Sequence, residues 1–281
     1  MTTSKDEITI VIPTLNEAPS IAMVIEEVRQ EGYNNILVVD GHSSDGTVEH
    51  AIQSGANVIV QHGKGKCDAI KIAIEHVKTP YMLVMSAGHT YDPKDIRKFL
   101  SRMENYDMII GFPESERENI PRLNRYGSLV ITKIFNFLFG TSLHRVASGI
   151  YLLRTGHVKR LAIRSSDFGI DVEIAAQSAL RGKLAEVPVS YRKRIGEAKL
   201  PLIKAAAEIM RDMLNAYNML SSFDPRPSVI GALIMVAIAI SSRMFFALET
   251  TPIIMMLSVG VFISTWGLEI IVKLLKLIVR A

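Results

Sequence analysis

Ile8-Thr9-Ile10-Val11-Ile12 runs into Pro13-Thr14-Leu15-Asn16-Glu17, and a second apolar run, residues 35–39, ends in Val39-Asp40-Gly41-His42-Ser43-Ser44-Asp45-Gly46-Thr47. Each is a short, β-branched stretch that stops at residues able to bind something. Working outward, residues 57–60, 81–85 and 107–110 repeat the pattern of short apolar runs. Between them, residues 20–30, 47–54, 66–77 and 94–103 carry helical periodicity, and Asp92-Pro93 has the form of a helix N-cap followed by proline. Strand and helix in alternation predict an α/β fold, with a mostly parallel sheet and helices on both faces. In such sheets ligands collect at the carboxyl ends of the strands. Asn16 and Glu17, Asp40, residues 64–66 and residues 86–89 fall at four such ends.

Further along, residues 123–139 form an apolar helix opened by Arg122 and Arg125, and residues 184–194 a further strand. Residues 202–220 read as an amphipathic helix, suited either to a membrane interface or to packing on the domain. Residues 229–248 and 252–272 carry one charge each, Arg243 and Glu269. At 1.5 Å per residue each would span roughly 30 Å, the hydrocarbon thickness of a bilayer. Arg226, Lys273, Lys276 and Arg280 flank the pair, whereas the loop Glu249-Thr250-Thr251 has no basic residue. The positive-inside rule then places both ends in the cytosol. The expected organisation is a Rossmann-like domain over 1–200, an amphipathic interfacial helix and linker over 201–226, and a transmembrane hairpin with a basic cytosolic tail over 227–281. A multi-pass location in the cell membrane or an endomembrane, with two spans and the first domain cytosolic, follows from that expectation. So does association of two copies through the hairpin.

Composition narrows the partners. The 281 residues carry a formal charge of +4, with 48% hydrophobic residues and a mean hydropathy of +0.23. A basic balance suits an anionic ligand such as a nucleoside diphosphate or a lipid phosphate. Scattered Lys and Arg with 7% aromatic residues argue against nucleic acid. One cysteine, Cys67, excludes an intrachain disulfide. It reads as a packing residue or, between a lysine and an aspartate, as a reactive thiol.

The two opening segments taken together resemble the start of family 2 glycosyltransferases with the GT-A fold. The resemblance continues in order over roughly residues 8–200. His62-Gly63-Lys64-Gly65-Lys66-Cys67-Asp68 is similar to the Gly-Lys-Gly segment of polyprenyl-phosphate hexose synthases. Arg122-Leu123-Asn124-Arg125-Tyr126-Gly127, Asn136, Gly140 and Ser148-Gly149 follow their acceptor side. Asp171, Glu173, Glu186-Val187-Pro188 and Arg194-Ile195-Gly196-Glu197-Ala198-Lys199-Leu200 follow their final segment.

The resemblance implies a membrane-anchored, inverting transferase that moves a hexose from a UDP- or GDP-sugar to a polyprenyl (dolichyl-type) phosphate at the cytosolic face, as in protein glycosylation. It further implies donor contacts from Pro13, Leu15, Glu17, Asp40, Lys66, Ser86, Ala87, Gly88, Arg194 and Lys199. Acceptor contacts would come from Arg122, Arg125 and Ser148, and Arg122, Arg125 and Arg194 would be catalytic.

Two departures stand out. The relatives place Asp-x-Asp after the fourth strand to hold a divalent metal, and this chain has Ser86 and Gly88 in Met85-Ser86-Ala87-Gly88-His89-Thr90-Tyr91-Asp92-Pro93. An acidic position before the Ser-Gly pattern is Arg145. The sign of the change fits protein cations taking over from a metal, Arg145 or His89 as substitutes with Arg194 and Lys199 neutralising the diphosphate; it also fits a decayed site. No resident cofactor follows from these residues, since Mg²⁺ or Mn²⁺ would be left with the donor diphosphate and His89 or Asp92. His42 and His89 flank the position, as structural residues or as ligands. Asp45 to Thr47 reads as an Asp-Gly turn capping a helix, and Arg192-Lys193-Arg194 reads alternatively as a solvated basic strand edge. The rival readings of the whole chain are an inactive nucleotide-sugar-binding or partner-binding membrane subunit, and an enzyme acting on another membrane acceptor such as a glycerolipid.

Overall fold

The computed structural model describes residues 4–114, 122–165, 169–196 and 202–220. Among these residues seven strands form one sheet: β1 Ile8–Thr14, β2 Ile36–Asp40, β3 Asn57–Val60, β4 Tyr81–Met85, β5 Met108–Pro113, β6 Ile150–Arg154 and β7 Leu184–Val189. Their order is β3-β2-β1-β4-β6-β5-β7. All pairings are parallel except those of β6, which lies antiparallel between β4 and β5. The helices are α1 Ala18–Gln30, α2 Thr47–Gln53, α3 Gly65–His76, α4 Ile96–Leu100, α5 Arg122–Phe139, α6 Thr155–Val158, α7 Ile170–Arg181 and α8 Leu202–Leu220.

Helices on both faces explain why β2 and β4 are buried at every residue. A strand covered on both sides cannot alternate apolar with polar, so it reads as a continuous apolar run. One core gathers Ile21, Ile25 and Phe99 with Ile10, Ile12 and Leu83 on the α1 and α4 side. The other gathers Ile70, Phe135, Ile174 and Met213 with Val11, Val84 and Tyr151 on the α3, α5 and α7 side. Asp92 caps the turn that leads into α4, accepting from the Lys94 N–H at 3.0 Å, with Pro93 at the first helical position.

Several elements depart from the periodicity. β6 and α7 were not expected as regular structure, and the final strand ends at Val189 rather than continuing to residue 194. α8 is amphipathic as expected, but its inner face is packed on the domain: Ala205, Ile209, Met213 and Ala216 are buried. It belongs with residues 1–220, which form one compact unit.

The expectation of a two-helix transmembrane hairpin is corrected. A spanning helix needs about 20 predominantly apolar residues. Among the described residues no helix is long and apolar enough to cross a membrane. α5 and α8 have 18 and 19 residues but are amphipathic, each with one face against the protein. Residues 229–248 and 252–272, which carried the expectation, lie outside the described residues. Membrane anchoring, the two-span location, the bilayer as a partner and pairing of copies through the hairpin all rested on those spans, and no helix among the described residues supports them.

Candidate active site

The carboxyl ends of β1 and β4 and the first turn of α3 surround a cavity of about 410 Å³. Parallel strands bring their ends to one edge, so segments far apart in sequence meet there. Of the expected donor residues, Pro13, Leu15, Glu17, Lys66, Ser86, Ala87 and Arg194 line this cavity, as does Ser148 from the acceptor set. Thr14, Gln61, Gly149 and Asp171 line it as well.

The turns at the rim are held in demanding conformations. Asn16, His42 and His89 have φ of 50°, 68° and 59°. Non-glycine residues enter this left-handed region only where neighbours over-determine it. Asn16 shows how: its N–H donates to Ser43 Oγ at 2.7 Å, and its Oδ1 accepts from the Ser44 N–H at 2.8 Å. Asp40 is buried beneath and accepts from the Ser43 N–H at 2.8 Å, Ser43 Oγ at 2.5 Å and Thr14 Oγ1 at 3.2 Å. It therefore fixes the turn between β2 and α2 and does not itself line the cavity. Asp45 accepts from the N–H groups of Ala18 and Thr47, as its reading as a turn residue requires.

Two ion pairs face the cavity. Lys66 Nζ contacts Asp171 Oδ2, and Tyr151 donates to Asp171 Oδ1 at 2.7 Å. Burial, together with the Asp171 charge, holds the Tyr151 phenol well above its ordinary pKa, so it stays a donor. On the other side Arg194 contacts the Glu17 carboxylate, with side-chain exposures of 28% and 10%. The Arg194 guanidinium lies directly over Gly88: a Cβ at that position would run into it, and would stand 3.2 Å from Arg194 Cγ. Gly88 is thus more than a lost carboxylate. Its missing side chain is the seat of an arginine.

Position 88 is one of the two from which the relatives' metal-binding carboxylates would project, and the fit can be tested on the residues present. Ser86 Oγ is engaged with Thr90 Oγ1 at 3.0 Å, and a guanidinium fills the space above Gly88. Among the described residues no group of three or more His, Cys, Asp or Glu side chains could hold a metal ion. These residues do not fit a divalent cation.

Other expected residues stand apart from the cavity. His89 does not line it and instead pairs with Glu27 on α1 at 2.8 Å. Arg145 is buried beside Tyr91, whose phenol is pushed up to about 12 by burial; it too is not a lining residue. Ser148, by contrast, lines the cavity, and its Oγ donates to the Gly111 carbonyl at 2.5 Å. Arg125 is half-buried in the first turn of α5, its guanidinium 5.9 Å from the Tyr126 ring centre. α5 begins at Arg122, whose side chain lies outside the described residues, as does Lys199. Cys67 is buried, with its Sγ at 2.8 Å from the Ser165 carbonyl, and burial pushes its thiol up, against reactivity. Sequence reasoning did not place Gln61, Thr14 or Gly149 in the cavity wall, nor Asp171 as the partner of Lys66.

Residues 9–161 match the family described as Glycosyl transferase family 2. The chain is 39% identical over 194 residues to glycosyltransferase AglJ of Haloferax volcanii, a match covering 67% of this chain and 64% of AglJ. It is 30% identical over 214 residues to a dolichyl-phosphate hexose transferase of the same organism, covering 74% of this chain and 93% of that protein. Among solved structures, glucosyl-3-phosphoglycerate synthase from Mycobacterium tuberculosis, in complex with Mn²⁺, uridine diphosphate and phosphoglyceric acid, aligns with a TM-score of 0.65. At 17% identity over 76% of this chain and 80% of that one, the likeness is one of fold.

The chain belongs to glycosyl transferase family 2 and has the GT-A fold. It is related to an archaeal dolichyl-phosphate hexose transferase. The match spans slightly less than two thirds of AglJ, the more similar of these two relatives.

Proposed function

We propose that this protein transfers a hexose from a nucleoside-diphosphate sugar to a dolichyl-type phosphate, with protein cations in place of a divalent metal at the donor diphosphate. The observation that carries the reading is the Arg194 guanidinium seated over Gly88 at the cavity wall. Support for the acceptor comes from the related transferase, matched over 93% of its length.

The chemistry needs no general base. A phosphate monoester has its second pKa near 6, so at neutral pH most of it is the dianion. One of its oxygens attacks the anomeric carbon as the bond from that carbon to the diphosphate oxygen breaks. The nucleoside diphosphate leaves with the bonding electron pair, and the anomeric configuration inverts. What the protein must supply is alignment of the two anions and compensation for the charge gathering on the leaving group. In this reading Arg194, with Lys66 and Lys199, compensates the diphosphate, and Arg122 and Arg125 hold the acceptor phosphate. Arginine suits both tasks because its planar fork meets a phosphate with two hydrogen bonds. Glu17 pairs with Arg194 and Asp171 with Lys66, so each cation is held at the cavity wall by a carboxylate.

Transfer of labelled hexose from UDP- and GDP-hexoses to dolichyl phosphate tests the reaction itself. Product with either donor supports it; no product with any donor, while nucleotide still binds, overturns it. The division of roles makes a second expectation. Arg125→Ala should raise the KM for dolichyl phosphate or lower kcat by about 30-fold or more, the scale of losing one partner of a charge pair. Nucleotide affinity, read by calorimetry, should stay within about twofold. Equal losses in both measurements would defeat the assignment.

A further inference from the structure

Arg194 does not hold its position unaided. The segment that carries it, residues 190–195, runs alongside the turn after β4 as a strap. Tyr191 forms an isolated antiparallel bridge with Tyr91, and their rings pack edge to face at 5.4 Å. The Arg192 N–H donates to the Thr90 carbonyl at 2.8 Å, and the Ile195 N–H donates to the Gly88 carbonyl at 3.1 Å. These bonds fix the strap's height above Gly88. They do not fix its lie along α1, because a bridge of one residue pair resists sliding weakly.

The side chain of Arg192 supplies that constraint. One guanidinium nitrogen contacts Glu27 Oε2 at 2.6 Å and the other contacts Asp92 Oδ2 at 2.7 Å. Glu27 is itself held by His89 Nε2 at 2.8 Å, and His89 Nε2 lies 3.1 Å from the Arg192 guanidinium. Burial raises the Glu27 carboxyl pKa, but the hydrogen bonds from His89 and Arg192 outweigh it and hold the group below its ordinary value. Arg192 and Arg194, separated only by Lys193, thus grip carboxylates at the two ends of α1, Glu27 and Glu17. Ten residues of helix put those acids about 15 Å apart along its axis. A strap tied at both ends of one helix and to the turn beneath keeps the backbone of the second arginine beside its glycine.

We infer that Arg192, with Glu27, Asp92 and His89, is a positioning device for the donor-side cation: it holds the strap so that Arg194 stays over Gly88, the position a metal ligand takes in the relatives. Arg192 does not line the cavity and acts only through Arg194. The inference rests on the proposed role of Arg194 at the donor diphosphate.

The test is a double-mutant cycle read by nucleotide affinity. UDP and GDP are titrated by calorimetry into the wild type, Arg192→Ala, Arg194→Ala and the double variant, with the tighter nucleotide used for the comparison. Arg192→Ala should weaken binding about tenfold in the wild type and by less than about twofold when Arg194 is already alanine, since residues acting as a unit are non-additive. Arg192→Lys, which keeps the charge but not the fork, should recover part of the loss. If Arg192→Ala proves unstable by thermal shift, Glu27→Gln takes its place in the cycle with the same expectation. Equal weakening in both backgrounds would show a general structural role and overturn the inference, as would no weakening in the wild type. Should Arg194→Ala itself leave affinity unchanged, the proposed role of Arg194 fails first; should it weaken binding while Arg192→Ala does not, only the positioning role fails.

Discussion

Arg194→Ala is expected to weaken nucleotide binding by roughly 30- to 100-fold and to reduce hexose transfer at least as much. Removing one partner of a desolvated, hydrogen-bonded charge pair costs about 2–5 kcal/mol. The 28% exposure of Arg194 places it near the lower limit, and about 2 kcal/mol is a factor of about 30. The loss has two parts. The donor diphosphate loses a guanidinium, and the Glu17 carboxylate, 10% exposed and then without this arginine, faces the diphosphate as a like charge. Calorimetric titration with UDP and GDP gives the first number and labelled-hexose transfer the second. Unchanged affinity would remove Arg194 from the donor site.

The second large effect separates activity from stability. Gly88→Ala adds one methyl group, yet that atom falls where the Arg194 guanidinium sits, with Arg194 Cγ only 3.2 Å away. The obstructing group is the far end of a flexible, part-exposed side chain, so the protein accommodates the methyl by swinging the arginine aside. Gly88 itself does not have the positive φ that would make alanine strained. The melting temperature should therefore move by no more than the few degrees that about 1 kcal/mol represents. Transfer should fall about tenfold or more, because a catalytic cation displaced by about 1 Å loses its alignment with the charge it compensates. A variant that melts as the wild type and transfers as the wild type would show that Arg194 over Gly88 has no part in catalysis.

The strand ends of this site were legible because the fold encodes them locally. An apolar run followed by Asn16-Glu17, or by Asp40-Gly41, announces both a strand and the point where it stops. β6 was hidden for a different reason. Ile150–Arg154 is an apolar run like the others, but its antiparallel insertion between β4 and β5 depends on pairings with residues 81–85 and 108–110. Such long-range register leaves no periodic mark. α7 was hidden because it has no polar face to reveal a helical stripe: Ile170 to Ser178 are buried throughout, Asp171, Glu173 and Gln177 included.

Charge bookkeeping at the missing Asp-x-Asp leads to protein cations, Arg145 or His89 as stand-ins with Arg194 and Lys199 at the diphosphate; the structure seats Arg194 over Gly88, while Arg145 and His89 do not line the cavity. The pairs that arrange the site join residues 105, 165 and 177 positions apart: Lys66 with Asp171, Glu27 with Arg192, and Glu17 with Arg194. Only folding brings them together. α8 was legible as amphipathic but not in what its apolar face meets, since a membrane interface and the flank of α7 ask for the same stripe.

In the proposed reaction a protein cation, Arg194, takes the place of a bound metal at the donor diphosphate. The direct measurement is hexose transfer to dolichyl phosphate by the wild-type protein in excess EDTA, followed by addition of Mg²⁺ or Mn²⁺. Transfer in EDTA should stay within about twofold of the untreated rate, with no further gain on adding either ion, because Ser86, Gly88 and the overlying Arg194 leave no ligand set for a dication among the described residues. Transfer that disappears in EDTA and returns with Mn²⁺ would contradict that role of Arg194.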